Sequence, residues 1–112
     1  MSKKSYATLY KAQEQIMLWM VKQEQPFYLT GGTALSRFYL SHRYSDDLDY
    51  FVNDYKNFSL AVNKLVHNIP AEFRLERDSI LITDDFARLF LRIESTVVKI
   101  EFVNDLAGQA KQ

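Results

Sequence analysis

The chain has 112 residues, enough for one hydrophobic core and too few for two. Its 14 Lys and Arg balance 14 Asp and Glu, so the bulk positive charge of many nucleic-acid binders is missing and any basic patch is local. The absence of cysteine excludes disulfides and thiolate metal sites and is compatible with a reducing cytoplasm. No segment approaches the roughly 20 apolar residues that span a bilayer, and no signal-type apolar run follows Met1-Ser2-Lys3-Lys4-Ser5. A cytoplasmic protein with no membrane partner is therefore expected.

Apolar residues Tyr6, Leu9, Tyr10, Ile16, Met17, Met20 and Val21 recur at helical spacing and predict a first helix over about residues 6–23, with Pro26 as its stop. Residues 27–30, Phe-Tyr-Leu-Thr, read as a short buried strand. Gly31-Gly32 is a turn that uses two of the three glycines in the chain, and a second helix is expected over residues 33–40, with Leu35, Phe38 and Tyr39 as core contacts. Residues 41–45 are a polar loop, and residues 47–52 form a strand. Ser59 is placed as the N-cap of a third helix running to about residue 68, with Val62, Leu65, Val66 and Ile69 on its buried face and Pro70 closing it.

The remainder reads as strands: Phe73 and Leu75 alternating with Arg74 and Glu76, then Ile80-Leu81-Ile82 after a turn at Arg77-Asp78-Ser79. Residues 87–94 and 97–103 are expected to form a hairpin around Ser95-Thr96. In that register Leu91 faces Ile100, Leu89 faces Phe102 and Ile93 faces Val98, leaving Phe90, Arg92, Lys99 and Glu101 on the opposite face. The order of elements describes an α+β domain (α/β-like), a mixed β-sheet flanked by helices, over residues 1–105. A small polar tail follows over residues 106–112.

Two patterns carry chemistry. Paired glycines at the mouth of a helix let the backbone approach phosphate oxygens and aim free N–H groups at them, which singles out Gly31, Gly32 and Thr33. Asp47 and Asp49, two apart on a strand, point the same way and can share divalent cations; Asp46 points away from them. Glu101, on the polar face of the last strand, can complete an oxygen-rich site for Mg²⁺. Each piece also has a plainer reading. The acidic run can be a solvated turn, Glu101 an exposed strand residue paired with Lys99 or Arg92, and the glycine pair simple punctuation. The run lacks the Gly-Lys-Ser/Thr of a P-loop and the third glycine of a dinucleotide fingerprint. His67 is expected to be structural or solvated. His42-Arg43 either offers a cation to a triphosphate or belongs to a surface loop, and Ser36 and Ser45 have no general-base partner.

Leu29-Thr30-Gly31-Gly32-Thr33-Ala34-Leu35, followed by His42-Arg43-Tyr44-Ser45-Asp46-Asp47-Leu48-Asp49-Tyr50-Phe51, closely resembles the AbiEii/AbiGii toxin-type nucleotidyltransferases of the DNA polymerase β-like superfamily. The resemblance is strong over residues 27–52 and continues through residues 97–105. It implies the polymerase β-like nucleotidyltransferase fold and an Mg²⁺-dependent enzyme that moves a nucleoside monophosphate from a nucleoside triphosphate to a hydroxyl of RNA, such as tRNA, or of protein. It further implies triphosphate contacts at Gly31, Gly32 and Thr33, to which the loop cation Arg43, read from its position alone, would add one. Two Mg²⁺ ions would be held by Asp47, Asp49 and Glu101, and an antitoxin partner is implied by type IV toxin–antitoxin or phage-defence systems. Family members continue into a largely helical region that supplies a lysine and an aspartate near the nucleotide. Nothing after Asp105 supplies them, so the chain is expected to be the N-terminal catalytic part or a minimal version. The alternative is a non-catalytic module that binds nucleotide or a partner.

Overall fold

Alternation along two long strands decides which side of this protein is dry. The computed structural model describes residues 3–29 and 47–105; the Gly31-Gly32 turn, the expected helix over 33–40, the loop over 41–45 and the tail lie outside them. Helix α1 spans Lys3–Val21 and lies against the sheet, burying Ala12, Gln13, Ile16 and Met20 at helical spacing. It ends well before Pro26. The Lys22 and Gln23 N–H groups donate to the carbonyls of Trp19 and Met20 at 3.1 and 3.0 Å. The side-chain amides of Gln23 and Gln25 donate to the same two carbonyls, both at 3.3 Å. The last turn is thus closed by local donors that satisfy its orphan carbonyls, within two residues of the end expected before Pro26.

Strand β1, Tyr28–Leu29, is an edge strand rather than the buried strand expected: Phe27 just before it is buried, while Tyr28 is 50% exposed. Strand β2 spans Asp47–Asn53. Helix α2 spans Phe58–His67 and buries Phe58, Val62 and Leu65. Its N-cap is Asn57, not Ser59; the Asn57 carbonyl accepts the Ala61 N–H at 2.9 Å, and no side chain caps the end. Ser59 sits one residue inside the helix because Phe58 must be within the first turn to reach the core. The helix stops at His67, as expected just before Pro70, and the Asn68 N–H meets the carbonyls of Lys64 and Leu65. His67 is exposed.

Short strands β3, Arg74–Leu75, and β4, Leu81–Ile82, flank a 3₁₀ turn at Arg77–Ser79. Among the described residues, the long strands β5, Phe86–Ile93, and β6, Thr96–Asp105, complete a six-stranded sheet ordered β1-β2-β6-β5-β3, with β4 also paired to β5. All neighbours are antiparallel except β2 and β6, which run parallel. That pair is separated in sequence by α2 and three strands, as a parallel connection requires.

The hairpin exists, but its register differs by two residues from the one the apolar pattern suggested. Ile93 pairs with Thr96, Leu91 with Val98, Leu89 with Ile100 and Ala87 with Phe102. The loop is Glu94-Ser95 rather than Ser95-Thr96, and Glu94 takes φ 57°, the left-handed value that a primed hairpin turn needs at its first central position. A two-residue slip leaves every side chain on its own face. The inward face of the sheet therefore carries Leu48, Tyr50, Leu89, Leu91, Val98, Ile100 and Phe102, all in one core with residues from both helices. Phe27 meets Phe58 and Phe102 at ring separations of 5.8 and 4.9 Å, and Tyr50 stacks on Phe102 at 5.7 Å. These rings tie the β1 approach, α2 and the two central strands together.

Candidate metal centre

The opposite face of the same strands carries charge. With Leu48 and Tyr50 committed to the core, Asp47 and Asp49 must project from the other side of β2, and Lys99 and Glu101 from the same side of β6. The parallel register sets Asp47 beside Lys99 and Asp49 beside Glu101. Asp47, Asp49 and Glu101 each offer a carboxylate oxygen, and these oxygens all lie within 4.8 Å of one another. All three side chains are half-buried. The donor set is hard and oxygen-only, which suits a small divalent cation such as Mg²⁺.

The electrostatics of the cluster favours a cation among its carboxylates. Burial raises the Asp49 carboxyl above its ordinary value of 3.8, and the neighbouring charges of Glu101 and Asp47 raise it further. Lys99 opposes that rise, while a side-chain hydrogen bond between Asp49 and Glu101 adds to it. The Lys99 ammonium reaches Asp47 Oδ2 at 3.3 Å and Glu101 Oε2 at 3.9 Å, spanning the two strands. Arg92, the other cation considered for Glu101, instead donates its Nε to Glu76 Oε2 at 3.4 Å.

Sequence reasoning missed Arg88. The observed register pairs it with Glu101 on the open face, whereas the expected register set Phe90 there. Its guanidinium carbon lies 6.0 Å from the centre of the Phe90 ring, and its Nε is buried without a hydrogen-bond partner. The signal that would have found it is the turn: placing the loop at Glu94-Ser95 brings Arg88 opposite Glu101 at once. Gly31, Gly32, Thr33 and Arg43, the expected phosphate contacts, lie outside the described residues, as does Asp46.

The sequence pattern of the family described as "Nucleotidyl transferase AbiEii toxin, Type IV TA system" matches residues 16–110, most of the chain. The chain belongs to the AbiEii nucleotidyltransferase family. Two crystal structures resemble this AbiEii chain. A candidate nucleotidyltransferase from H. pylori is 25% identical with a TM-score of 0.53, over 92% of this chain and 46% of that one. JHP933 from Helicobacter pylori is 23% identical with a TM-score of 0.50, over 93% of this chain and 45% of that one. The AbiEii chain thus spans less than half the length of either protein. No curated protein matches it. The mixed sheet with its helices is the polymerase β-like nucleotidyltransferase fold. Among the described residues no helix is long and apolar enough to cross a membrane.

Proposed function

We propose that this chain is the nucleotide-binding and metal-binding part of an Mg²⁺-dependent nucleotidyltransferase. It would move a nucleoside monophosphate from a nucleoside triphosphate to a hydroxyl acceptor on RNA, tRNA included, or on protein. The observation that carries the reading is the convergence of Asp47, Asp49 and Glu101 from two strands distant in sequence, in a chain of the AbiEii family. In this reading Asp47 and Asp49 hold the metal and Glu101 helps to position the attacking hydroxyl. Gly31, Gly32 and Thr33 cradle the β- and γ-phosphates, with Arg43 as a further phosphate contact.

The reaction forms one ester bond between the acceptor oxygen and the α-phosphorus and breaks the bond from that phosphorus to the pyrophosphate oxygen. The hydroxyl proton leaves to a carboxylate or to water. One or two Mg²⁺ ions, when bound, would supply the charge neutralisation that lets a hydroxyl approach a triphosphate and pyrophosphate depart. The rest falls to the protein: rigid neighbouring strands set the carboxylate spacing, and the half-buried site lowers the local dielectric. An antitoxin protein as partner and the cytoplasm as location belong to the same reading, which also takes residues 1–105 as the domain and 106–112 as a tail.

Isothermal titration of a nucleoside triphosphate with Mg²⁺ tests the site. The wild-type chain should bind and the Asp47→Ala/Asp49→Ala variant should lose at least tenfold in affinity; equal binding by the two would overturn the metal assignment. Transfer of labelled nucleotide to RNA or protein by this chain then separates enzyme from module. Binding without transfer would assign it the nucleotide-binding role alone.

A further inference from the structure

We propose that Lys99 is the resident counter-ion of the carboxylate site, an ammonium that holds the place of a divalent cation and swings out when the ion binds. This rests on the metal-site reading above and adds to it a residue of this chain that regulates metal occupancy. Three observations converge on it. The alternation Val98-Lys99-Ile100-Glu101 buries Val98 and Ile100, so Lys99 cannot leave the carboxylate face without breaking the core. The parallel register fixes its backbone beside Asp47, and its ammonium touches carboxylates of both strands, Asp47 at 3.3 Å and Glu101 at 3.9 Å. Its side chain is one-third exposed, so a four-carbon stem can carry the head into water while its base stays packed.

Charge and chemistry agree with that role. The Lys99 ammonium offsets part of the negative charge that Asp47 and Glu101 bring together, which is the service a bound cation would also provide. A lysine suits exchange with a metal ion better than an arginine would. It is a compact, strongly hydrated point charge with freely turning donors, not a planar fork locked onto one carboxylate. With the ammonium in place the repulsion within the acidic cluster is partly relieved without metal, and the same positive charge competes with a metal ion for the carboxylates. Lys99 therefore sets the metal concentration at which the site fills.

The test is calorimetric titration of Mn²⁺ into the full chain as wild type, Lys99→Met and Lys99→Arg. Lys99→Met should bind roughly tenfold more tightly than wild type, because one positive charge has left the carboxylates. Lys99→Arg, which keeps the charge, should stay within about threefold of wild type. If Lys99→Met binds as wild type does or more weakly, the counter-ion role is overturned while the metal site stands. If neither wild type nor Lys99→Met binds, the metal-site reading itself fails and takes this one with it. A second measurement needs no variant: the ε-methylene resonance of Lys99 in the wild-type chain should shift on addition of Mg²⁺. A resonance that does not move under saturating Mg²⁺ overturns the displacement.

Discussion

On β2 and β6, neighbouring residues of the same strands meet opposite fates. Leu48, Tyr50, Ile100 and Phe102 are buried in the core with α1 and α2, while Asp47, Asp49, Lys99 and Glu101 share the opposite side. The first set contributes stability through apolar burial and packed rings. The second set holds three carboxylates close enough to repel one another, and the Lys99 ammonium offsets only part of that repulsion. The difference teaches that one face anchors the strands rigidly enough for the other to hold an arrangement that is unfavourable by itself.

The sharpest break of this comparison is on the core side. Phe102 is 1% exposed and touches the rings of both Phe27 and Tyr50. Phe102→Ala should lower unfolding free energy by roughly 3–5 kcal/mol in urea denaturation, with or without metal. A loss under about 1 kcal/mol would mean that the site face, not the core, holds the strands.

A polar residue on the core side gives the next effect. Asn104 is buried; its Oδ1 accepts the Tyr55 N–H at 2.8 Å, and its Nδ2 donates to the carbonyls of Tyr55 and Asp84 at 2.9 and 3.2 Å. It clips the β2–α2 and β4–β5 connections to the end of β6. Asn104→Ala should lower stability by about 1–3 kcal/mol and speed amide exchange at Tyr55. Unchanged exchange there would show that the clip carries nothing.

The open face is tested through pH. The Asp49 carboxyl is raised above 3.8 by burial first and by Glu101 and Asp47 next. A carboxyl that holds its proton more tightly when folded adds stability in acid, and that contribution is lost as pH rises from its unfolded value through its folded one. Asp49→Asn cannot ionise. In EDTA the variant should therefore gain on wild type as pH climbs above 3.8 and hold a constant advantage at higher pH. A wild type that gains on the variant over that window would reverse the assignment of Asp49 as a strained carboxylate.

The smallest effect belongs to the Glu76–Arg92 pair, whose side chains are 43% and 39% exposed. Glu76→Gln should change stability by less than about 1 kcal/mol, and the change should vanish in high salt. A larger loss would mean that this end of the open face is as structural as the core.

Much of this contrast was legible in the residues. Alternation from Asp47 to Val52 is clean, so the strand and its two faces followed from period alone, and the strand extends only one residue further than expected. Glu101 was placed on the right face although the hairpin register was two residues out, because a shift of two preserves sidedness. The observed turn differs from the expected one because apolar pairing favours several registers about equally, and the positive φ at Glu94 that chooses among them has no glycine or asparagine to announce it. The helix ends fall within two residues of those expected before Pro26 and Pro70, while the N-cap differs because packing of Phe58 sets the start of α2 at Asn57 rather than at Ser59.

By itself, then, the sequence determined which side chains share a face, since a period of two is a property of the extended chain and needs no partner. Only the tertiary structure decided which strands are neighbours. The parallel pairing of β2 with β6, across a connection that contains α2 and three strands, sets Asp49 beside Glu101 and Lys99 between Asp47 and Glu101. No local pattern encodes that pairing, because it follows from the burial of two apolar faces against the same helices.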